Sequence, residues 1–115
     1  MPDVRRLGLE AEDAAAEFLA AQGYTLVTRR FRAGAGEIDL VAFDGDVLAF
    51  VEVKLRRGQG ADPLDALDLP KQTKILSAAE IYLARYDGPE CEVRFDVVSV
   101  TPKGMTLHKD AFRPR

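Results

Sequence analysis

The chain has 115 residues, of which 47% are hydrophobic and 30% charged, and these proportions are those of a globular protein. Its apolar runs fall short of the roughly 20 residues that cross a membrane, and its charged start does not resemble a signal peptide. A single cysteine excludes a disulfide framework and a thiolate metal site. We therefore expect one cytoplasmic domain over residues 1–115, and the net charge of −3 argues against a general polyanion binder.

The first predicted element is a helix over residues 5–22, and Gly23 follows it as a C-terminal stop. Apolar side chains recur on one stripe of this helix, namely Leu7, Ala11, Ala14, Ala15 and Phe18. Three glutamates lie at the margins of that stripe, where a carboxylate can reach into the protein: Glu10, Glu12 and Glu17. A strand is then predicted over residues 24–32, and the small residues 33–36 predict a flexible loop.

The central residues 36–57 predict a hairpin whose strands carry unexpected charge. Strands are depleted in acidic residues and lysine, yet four such side chains interrupt this apolar stretch: Glu37, Asp39, Glu52 and Lys54. Because side chains alternate along a strand, each charged pair lies on one face of its own strand. The opposite faces are apolar and are predicted to be buried, and they consist of Ile38, Leu40 and Ala42, then Val47, Ala49, Val51, Val53 and Leu55.

The turn of this hairpin decides whether the charged side chains meet. A two-residue turn at Asp44-Gly45 sets Glu37 opposite Glu52. Asp39 then faces Phe50 and lies diagonal to Glu52, at about 7–8 Å, so that all four charges share one face. A four-residue loop keeps this register, whereas a three-residue loop turns one strand over.

The rest of the chain predicts a loop, a helix and two strands. The loop covers residues 58–69, and the helix begins at Pro70 with a core-facing stripe of Ile75, Ala78, Ala79, Tyr82 and Leu83. Residues 91–100 predict a strand and residues 105–108 a short edge strand. This order of elements predicts an α/β fold with a mixed sheet that has helices on its faces.

Clustered carboxylates at one end of a sheet repel one another, and a divalent cation removes that repulsion. Oxygen ligands without Cys or His suit Mg²⁺ or Mn²⁺ rather than Zn²⁺. Lys54 lies about 7 Å along its strand from Glu52, where it can activate a water or stabilise charge that develops on a phosphate. This combination is typical of phosphodiester hydrolysis. Structural ion pairs, Glu37 with Lys54 or Glu52 with Arg30, account for the same residues equally well.

Positive side chains flank the central stretch and are candidates for contacts with a nucleic-acid backbone. They are Arg29 and Arg32 before it, Arg56 and Arg57 at its end, and Lys71 and Lys74 in the first turn of the second helix. Lysines at a helix N-terminus oppose the macrodipole, so either a docked phosphate or ordinary surface lysines account for the last two. Residues 109–115 fit either a frayed tail or an arm that touches DNA.

The order of Asp39 and Glu52-Val53-Lys54 matches the signature of the PD-(D/E)xK nucleases. Two longer strings are more specific, and they are Gly36-Glu37-Ile38-Asp39-Leu40 and Phe50-Val51-Glu52-Val53-Lys54. With these strings the chain closely resembles the YraN family of small bacterial proteins, which is similar to archaeal Holliday-junction resolvases. The resemblance extends over nearly the whole chain. Among its departures, Arg30 stands where the family usually has Asn.

The resemblance implies a restriction-endonuclease-like αβββαβ core in which Asp39 and Glu52 bind Mg²⁺ or Mn²⁺. It also implies that Lys54 is the catalytic lysine and that Glu12 completes the metal site from the first helix. Glu37 is either a further metal ligand or a partner that holds an arginine or lysine near the site.

The expected function is therefore that of a metal-dependent endonuclease that acts on branched or otherwise structured DNA. By analogy with the resolvases, a homodimer is expected. The alternative is a nucleic-acid-binding accessory module that keeps the fold but cleaves poorly or not at all. The complete set of Asp39, Glu52 and Lys54 favours the enzyme, because a pure binder has little need for paired carboxylates near DNA.

Overall fold

A computed structural model describes residues 4–56 and 69–114 of the chain, with only the backbone described for residues 4–7. Arg57 and nearly all of the predicted loop after it lie outside the described residues. The helices and strands are α1 Val4–Ala21, β1 Tyr24–Ala33, β2 Gly36–Asp44, β3 Val47–Leu55, α2 Leu69–Arg85, β4 Glu92–Thr101 and β5 Gly104–His108.

The strands form one mixed sheet in the order β1-β2-β3-β4-β5. β3 and β4 are parallel, and the other neighbours are antiparallel. A parallel pair needs a long crossover, and α2 lies within the connection between these two strands. The predicted α/β fold is confirmed, with the last strand at an edge of the sheet.

The two helices cover opposite faces of the sheet. Small residues of α1, Ala15 and Ala16, pack with Leu19 against an apolar face made of Leu40, Ala42, Ala49, Val51 and Val98. On the other face, Ile75 of α2 packs with Ala78 and Ala79 against Val41, Leu48, Phe50 and Val97. These sets follow the predicted alternation along the central hairpin. Two residues predicted to face the core lie near the ends of their elements and are exposed, Leu55 at 42% and Leu83 at 37%.

The central hairpin has a different turn from the predicted one. Asp44 pairs with Val47, so the two turn residues are Gly45 and Asp46. Gly45 has a φ of 60°, which suits the first central position of a type II′ turn. The prediction of the turn was therefore wrong, and the register differs from it by two residues. A shift by two does not by itself move a side chain to the other face of its strand.

The loop predicted over residues 33–36 is also a tight turn. Ala33 pairs with Gly36, and Gly34 has a φ of 58°. Gly36 lies so close to α2 that a Cβ on it would overlap the carbonyl oxygen of Lys74. This contact requires glycine, and it fixes the tip of the β1–β2 hairpin against the beginning of α2.

The β1–β2 hairpin is irregular at two places: its register shifts between Leu26 and Thr28, and the alternation of side chains fails at Ile38. Ile38 packs in the cluster under α2, whereas Leu40 packs in the cluster under α1, so the prediction that they share a face was wrong. On β1, the residue between Arg29 and Phe31 is Arg30, and its φ of 54° lies in the left-handed region. A side chain rarely adopts this conformation inside a strand, and here it turns both strands at the level of the acidic residues.

Candidate active site

The paired residues of β2 and β3 run from the turn to Leu40 and Val51. One residue further, the register sets Asp39 opposite Glu52. Here the N–H of Val53 donates its hydrogen bond to the Asp39 carboxylate Oδ2, at 2.8 Å, instead of to a backbone carbonyl of β2. The two strands thus separate around this carboxylate, and the bond fixes its orientation.

Glu52 is the most deeply buried acid of this group, at 7% exposed. It continues the β3 face that lies under α2, which explains why a side chain of that helix can reach it. Its Oε1 lies 3.5 Å from Lys54 Nζ on the same strand and 3.0 Å from Lys71 Nζ on α2. The structure therefore brings Asp39, Glu52 and Lys54 together, as predicted, and adds Lys71.

The neighbouring ion pairs differ from the two that the sequence suggested. Arg30 pairs with Glu12, with Nε donating to Oε2 at 2.9 Å, and Glu37 pairs with Arg32, whose Nε lies 3.3 Å from Oε1. Glu12 is mostly buried, with 15% of its side chain exposed. Its charge is felt by Asp39, so the first helix does deliver a carboxylate to this end of the sheet.

Burial raises the pKa of the Asp39 carboxyl to about 8, and the negative charges of Glu52 and Glu12 add to that shift. The hydrogen bond from Val53 acts in the opposite direction. Burial also lowers the pKa of the Lys54 ammonium, and Lys71 beside it lowers it further. A cation bound close to Asp39 would therefore favour its ionised form and lower this pKa.

The carboxylates at this site suit a divalent cation that keeps other ligands. In residues 4–56 and 69–114, no three His, Cys, Asp or Glu side chains are grouped closely enough to hold a metal ion by themselves. Mg²⁺, however, is usually held by one or two carboxylates and keeps several waters or phosphate oxygens as further ligands. Asp39 and Glu52 fit that pattern, and a bound cation would lower the raised pKa of Asp39. Glu12 and Glu37 stay predicted ligands only.

The acidic residues open into a cavity of about 460 Å³ between the hairpin tip and α2. Its lining combines acids and bases, and consists of Arg32, Gly34, Ala35, Gly36, Glu37, Asp39, Glu52, Lys71, Lys74 and Ile75. Three cations, Arg32, Lys71 and Lys74, thus share one cavity with the paired carboxylates. An anionic ligand that enters here would meet positive charge on the way to Asp39 and Glu52.

The other predicted DNA contacts lie elsewhere. Arg29 forms an exposed ion pair with Asp13 of α1. The backbone N–H of Arg56 donates to the carbonyl of Val100 at 2.7 Å, and Arg57 lies outside the described residues. Of the six predicted DNA contacts, three line the cavity together, and they are Arg32, Lys71 and Lys74.

Comparison with known proteins places the chain in a family. The sequence model of the uncharacterised protein family UPF0102 matches residues 11–100. The chain belongs to the UPF0102 family. This match confirms the resemblance to the YraN family, and it spans every part of the site from Glu12 to Lys74.

Curated UPF0102 proteins are similar to this chain over most of its length. A UPF0102 protein of Symbiobacterium thermophilum is 50% identical over 99 residues, which cover 85% of this chain and 84% of the relative. One of Chlorobium chlorochromatii is 45% identical over 86% of this chain and 77% of its own length. One of Nocardia farcinica is 46% identical over 85% and 78%, respectively. No helix in the described part of this UPF0102 protein is long and apolar enough to span a membrane.

A second polar cluster, which sequence reasoning missed, is centred on Asp96, which pairs with Val51 and therefore lies on the opposite face of the sheet from Glu52. Asp96 is fully buried, and its two carboxylate oxygens accept hydrogen bonds from Tyr24 Oη (2.8 Å), Arg94 Nε (2.8 Å) and Nη2 (2.9 Å), and Asp110 N (2.9 Å). Arg94 Nη2 also reaches Asp44 at 2.7 Å. The sequence signal that could have predicted this cluster is Asp96 itself, an acid inside the apolar run of β4.

The same cluster anchors the end of the described chain. Ala111 N–H donates to the Phe95 carbonyl at 2.8 Å, and Phe112 is buried in the core under α2. Lys109 Nζ lies 3.0 Å from Asp44. Residues 109–112 are therefore docked on the sheet, and the suggestion of a frayed tail was wrong for them.

Proposed function

We propose that this UPF0102 protein is a cytoplasmic, divalent-metal-dependent endonuclease that hydrolyses phosphodiester bonds in branched or otherwise structured DNA. The observation that carries the proposal is that Asp39 and Glu52 line one cavity together with three cations, while Lys54 Nζ lies 3.5 Å from Glu52 Oε1. A site for a phosphodiester needs both parts, because the backbone is anionic and charge grows on it during hydrolysis.

In the proposed reaction a water oxygen forms a bond to phosphorus, one ester P–O bond breaks, and solvent protonates the leaving oxygen. Asp39, oriented by Val53 N–H, and Glu52 would hold Mg²⁺ or Mn²⁺. When bound, such an ion supplies Lewis acidity and lowers the pKa of a coordinated water. Lys54, whose ammonium loses its proton more readily because it is buried, is suited to take the proton of the attacking water.

The substrate side of the proposal rests on the cations of the cavity. Arg32 is 68% exposed, so it can turn toward a backbone phosphate at little cost, and Lys71, which is 40% exposed, lies in the same cavity. Backbone contacts of this kind give affinity without reading sequence. The resemblance to junction resolvases extends the proposal to branched DNA and to a homodimer, which light scattering coupled to gel filtration would test.

The decisive experiment incubates the protein with four-way-junction, flap and duplex DNA in Mg²⁺ or Mn²⁺. Lys54→Met should lower the cleavage rate by about 10²–10⁴-fold, because it removes the proton acceptor, and Asp39→Asn should lower it at least as much. Asp46→Asn serves as the matched control, because Asp46 lies in the turn at the far end of the same hairpin. Cleavage that survives in both site variants would refute this assignment.

One observation favours a second function, that of an accessory module that binds structured nucleic acid without cleaving it. Glu52 is already held by two ammonium groups, so the site is partly neutralised without a metal ion. This function predicts that the wild-type protein binds junction DNA with the same affinity in EDTA and in Mg²⁺, and that no strand is cut under either condition.

A further inference from the structure

Lys71 has an unusual position for a lysine. It lies in the first turn of α2, which carries no acidic residue, and its ammonium extends to a carboxylate on the sheet below. Lys71 Nζ lies 3.0 Å from Glu52 Oε1, closer than Lys54 Nζ, which lies 3.5 Å from the same oxygen. The close contact between Gly36 and the Lys74 carbonyl holds this end of α2 over the site.

We propose that Lys71 is an internal counter-ion that competes with the divalent cation for Glu52. The inference rests on the proposed function, since it concerns regulation of the same site. In the metal-free protein, Lys71 neutralises the buried Glu52 carboxylate. When a divalent cation binds, Lys71 leaves Glu52 and its ammonium becomes available to a phosphate in the cavity.

The competition follows from the positive charges around one carboxylate. Two ammonium groups already lie within 3.5 Å of Glu52 Oε1, and Mg²⁺ binds a carboxylate oxygen at about 2.0–2.1 Å. A metal ion on either oxygen of Glu52 would therefore lie close to both ammonium groups and repel them. We expect the more mobile of the two ammonium groups to move away when the metal ion binds.

Lys71 is the one that can leave. The Lys54 side chain is only 12% exposed and lies on β3 itself, so it has little room to move away from Glu52. The Lys71 side chain is 40% exposed, at the rim of the cavity, and a lysine stem turns easily. Arg32 and Lys74 line the same cavity, so the released ammonium adds a third cation for a bound phosphate. Metal and phosphate binding are thereby coupled in the favourable direction.

The test is a calorimetric titration of the protein without DNA, with Mn²⁺ and with Mg²⁺. Lys71→Met should lower the Kd for either ion by about tenfold, within the usual range of coupling between sites. Lys74→Met is the matched control, because it removes a lysine from the same cavity and the same helix turn. Its Kd should stay within about twofold of the wild type if nearby charge alone has little effect.

A second variant guards against misfolding of the first. Lys71→Gln also removes the charge but keeps a hydrogen-bond donor for Glu52, and it should lower the Kd as Lys71→Met does. Thermal unfolding in EDTA identifies variants that fail to fold.

If both variants bind the ions no more tightly than the wild type, the counter-ion role is refuted while the metal site and its proposed function stand. If Lys74→Met tightens binding as much as Lys71→Met, only the general charge of the cavity matters and the specific role is refuted. If neither wild type nor variants bind either ion, the metal-dependent function fails, and the inference fails with it.

Discussion

Each face of the sheet buries a carboxylate, but the two carboxylates are satisfied in opposite ways. Asp96 is surrounded by donors that are themselves fixed: a tyrosine hydroxyl, an arginine and a backbone N–H. Glu52 on the other face is held by the flexible ends of two lysines, and its neighbour Asp39 has a pKa raised to about 8. The hydrogen bonds of Asp96 are complete within the protein, whereas Asp39 and Glu52 can still bind a cation.

The difference separates a structural carboxylate from a functional one. A buried charge that is fully hydrogen-bonded contributes to a specific fold and has no capacity left for a ligand. Acids that disfavour one another's ionisation cost stability in the free protein, which is the usual cost of a binding site. The comparison therefore predicts that neutralising Asp96 should lower the stability of the protein and that neutralising Asp39 should raise it.

The largest effect is expected for Asp96→Asn, which should lower the free energy of unfolding by about 3–5 kcal/mol. The amide removes the charge that compensates Arg94, and its NH₂ group would face donors rather than acceptors. Urea unfolding measures the loss. Asp44→Asn, at a partly exposed partner of the same arginine, should cost only about 1 kcal/mol. Equal losses for Asp96→Asn and Asp44→Asn would show that the burial of Asp96 does not increase its contribution to stability.

Asp39→Asn, in contrast, should stabilise the protein by about 2 kcal/mol near pH 8, because it removes a charge that the fold disfavours. A carboxyl whose pKa is raised in the folded state contributes most below its unfolded pKa of about 3.9. That contribution is lost as the pH rises toward about 8. The wild type should therefore lose stability across this window, and Asp39→Asn should lose less.

Chemical unfolding at a series of pH values measures this slope for both proteins. Millimolar Mg²⁺ supplies a further control, because it should stabilise the wild type above about pH 8 and leave Asp39→Asn unchanged. A variant that is less stable than the wild type at every pH would mean that Asp39 is a structural acid like Asp96.

The smallest expected effect concerns Arg30, whose φ of 54° is unfavourable for its side chain. Arg30→Asn should leave the free energy of unfolding within about 0.5 kcal/mol of the wild type, because Asn tolerates the left-handed region but the mostly buried Glu12 loses its partner. Arg32→Asn, two residues away in ordinary strand geometry, is the control and should not stabilise. A larger loss of stability in Arg30→Asn would mean that the ion pair outweighs the backbone strain.

The faces of the central hairpin were predictable because alternation has a period of two. Asp39 and Glu52 met even though the predicted turn was wrong, since the error of two residues preserved the faces. The turn itself was misjudged because Asp44, Gly45 and Asp46 allow two neighbouring turns. The left-handed φ that suits Gly45 at the first turn position decided between them.

The remaining features depend on contacts between distant parts of the chain. Lys71 reaches Glu52 because α2 crosses the sheet where Gly36 allows it, and no local pattern specifies that approach. The reversal at Ile38 follows from the backbone of Arg30 on the neighbouring strand. Glu12 was predictable as a margin residue of its helix, but its partner Arg30 was not.

The network around Asp96 also has a consequence for the order in which the chain folds during synthesis. Its members are Tyr24 on the first strand, Arg94 and Asp96 on β4, and Asp110 beyond the last strand. A ribosome adding residues one at a time releases Tyr24 several seconds before Asp110. Until residue 110 emerges, Asp96 lacks the hydrogen bond from Asp110 N–H. Its carboxylate then still needs water as a hydrogen-bond partner, which opposes burial of β4. We expect β4 to become protected last, and cotranslationally arrested chains that end before residue 110 should be sensitive to proteolysis in β4.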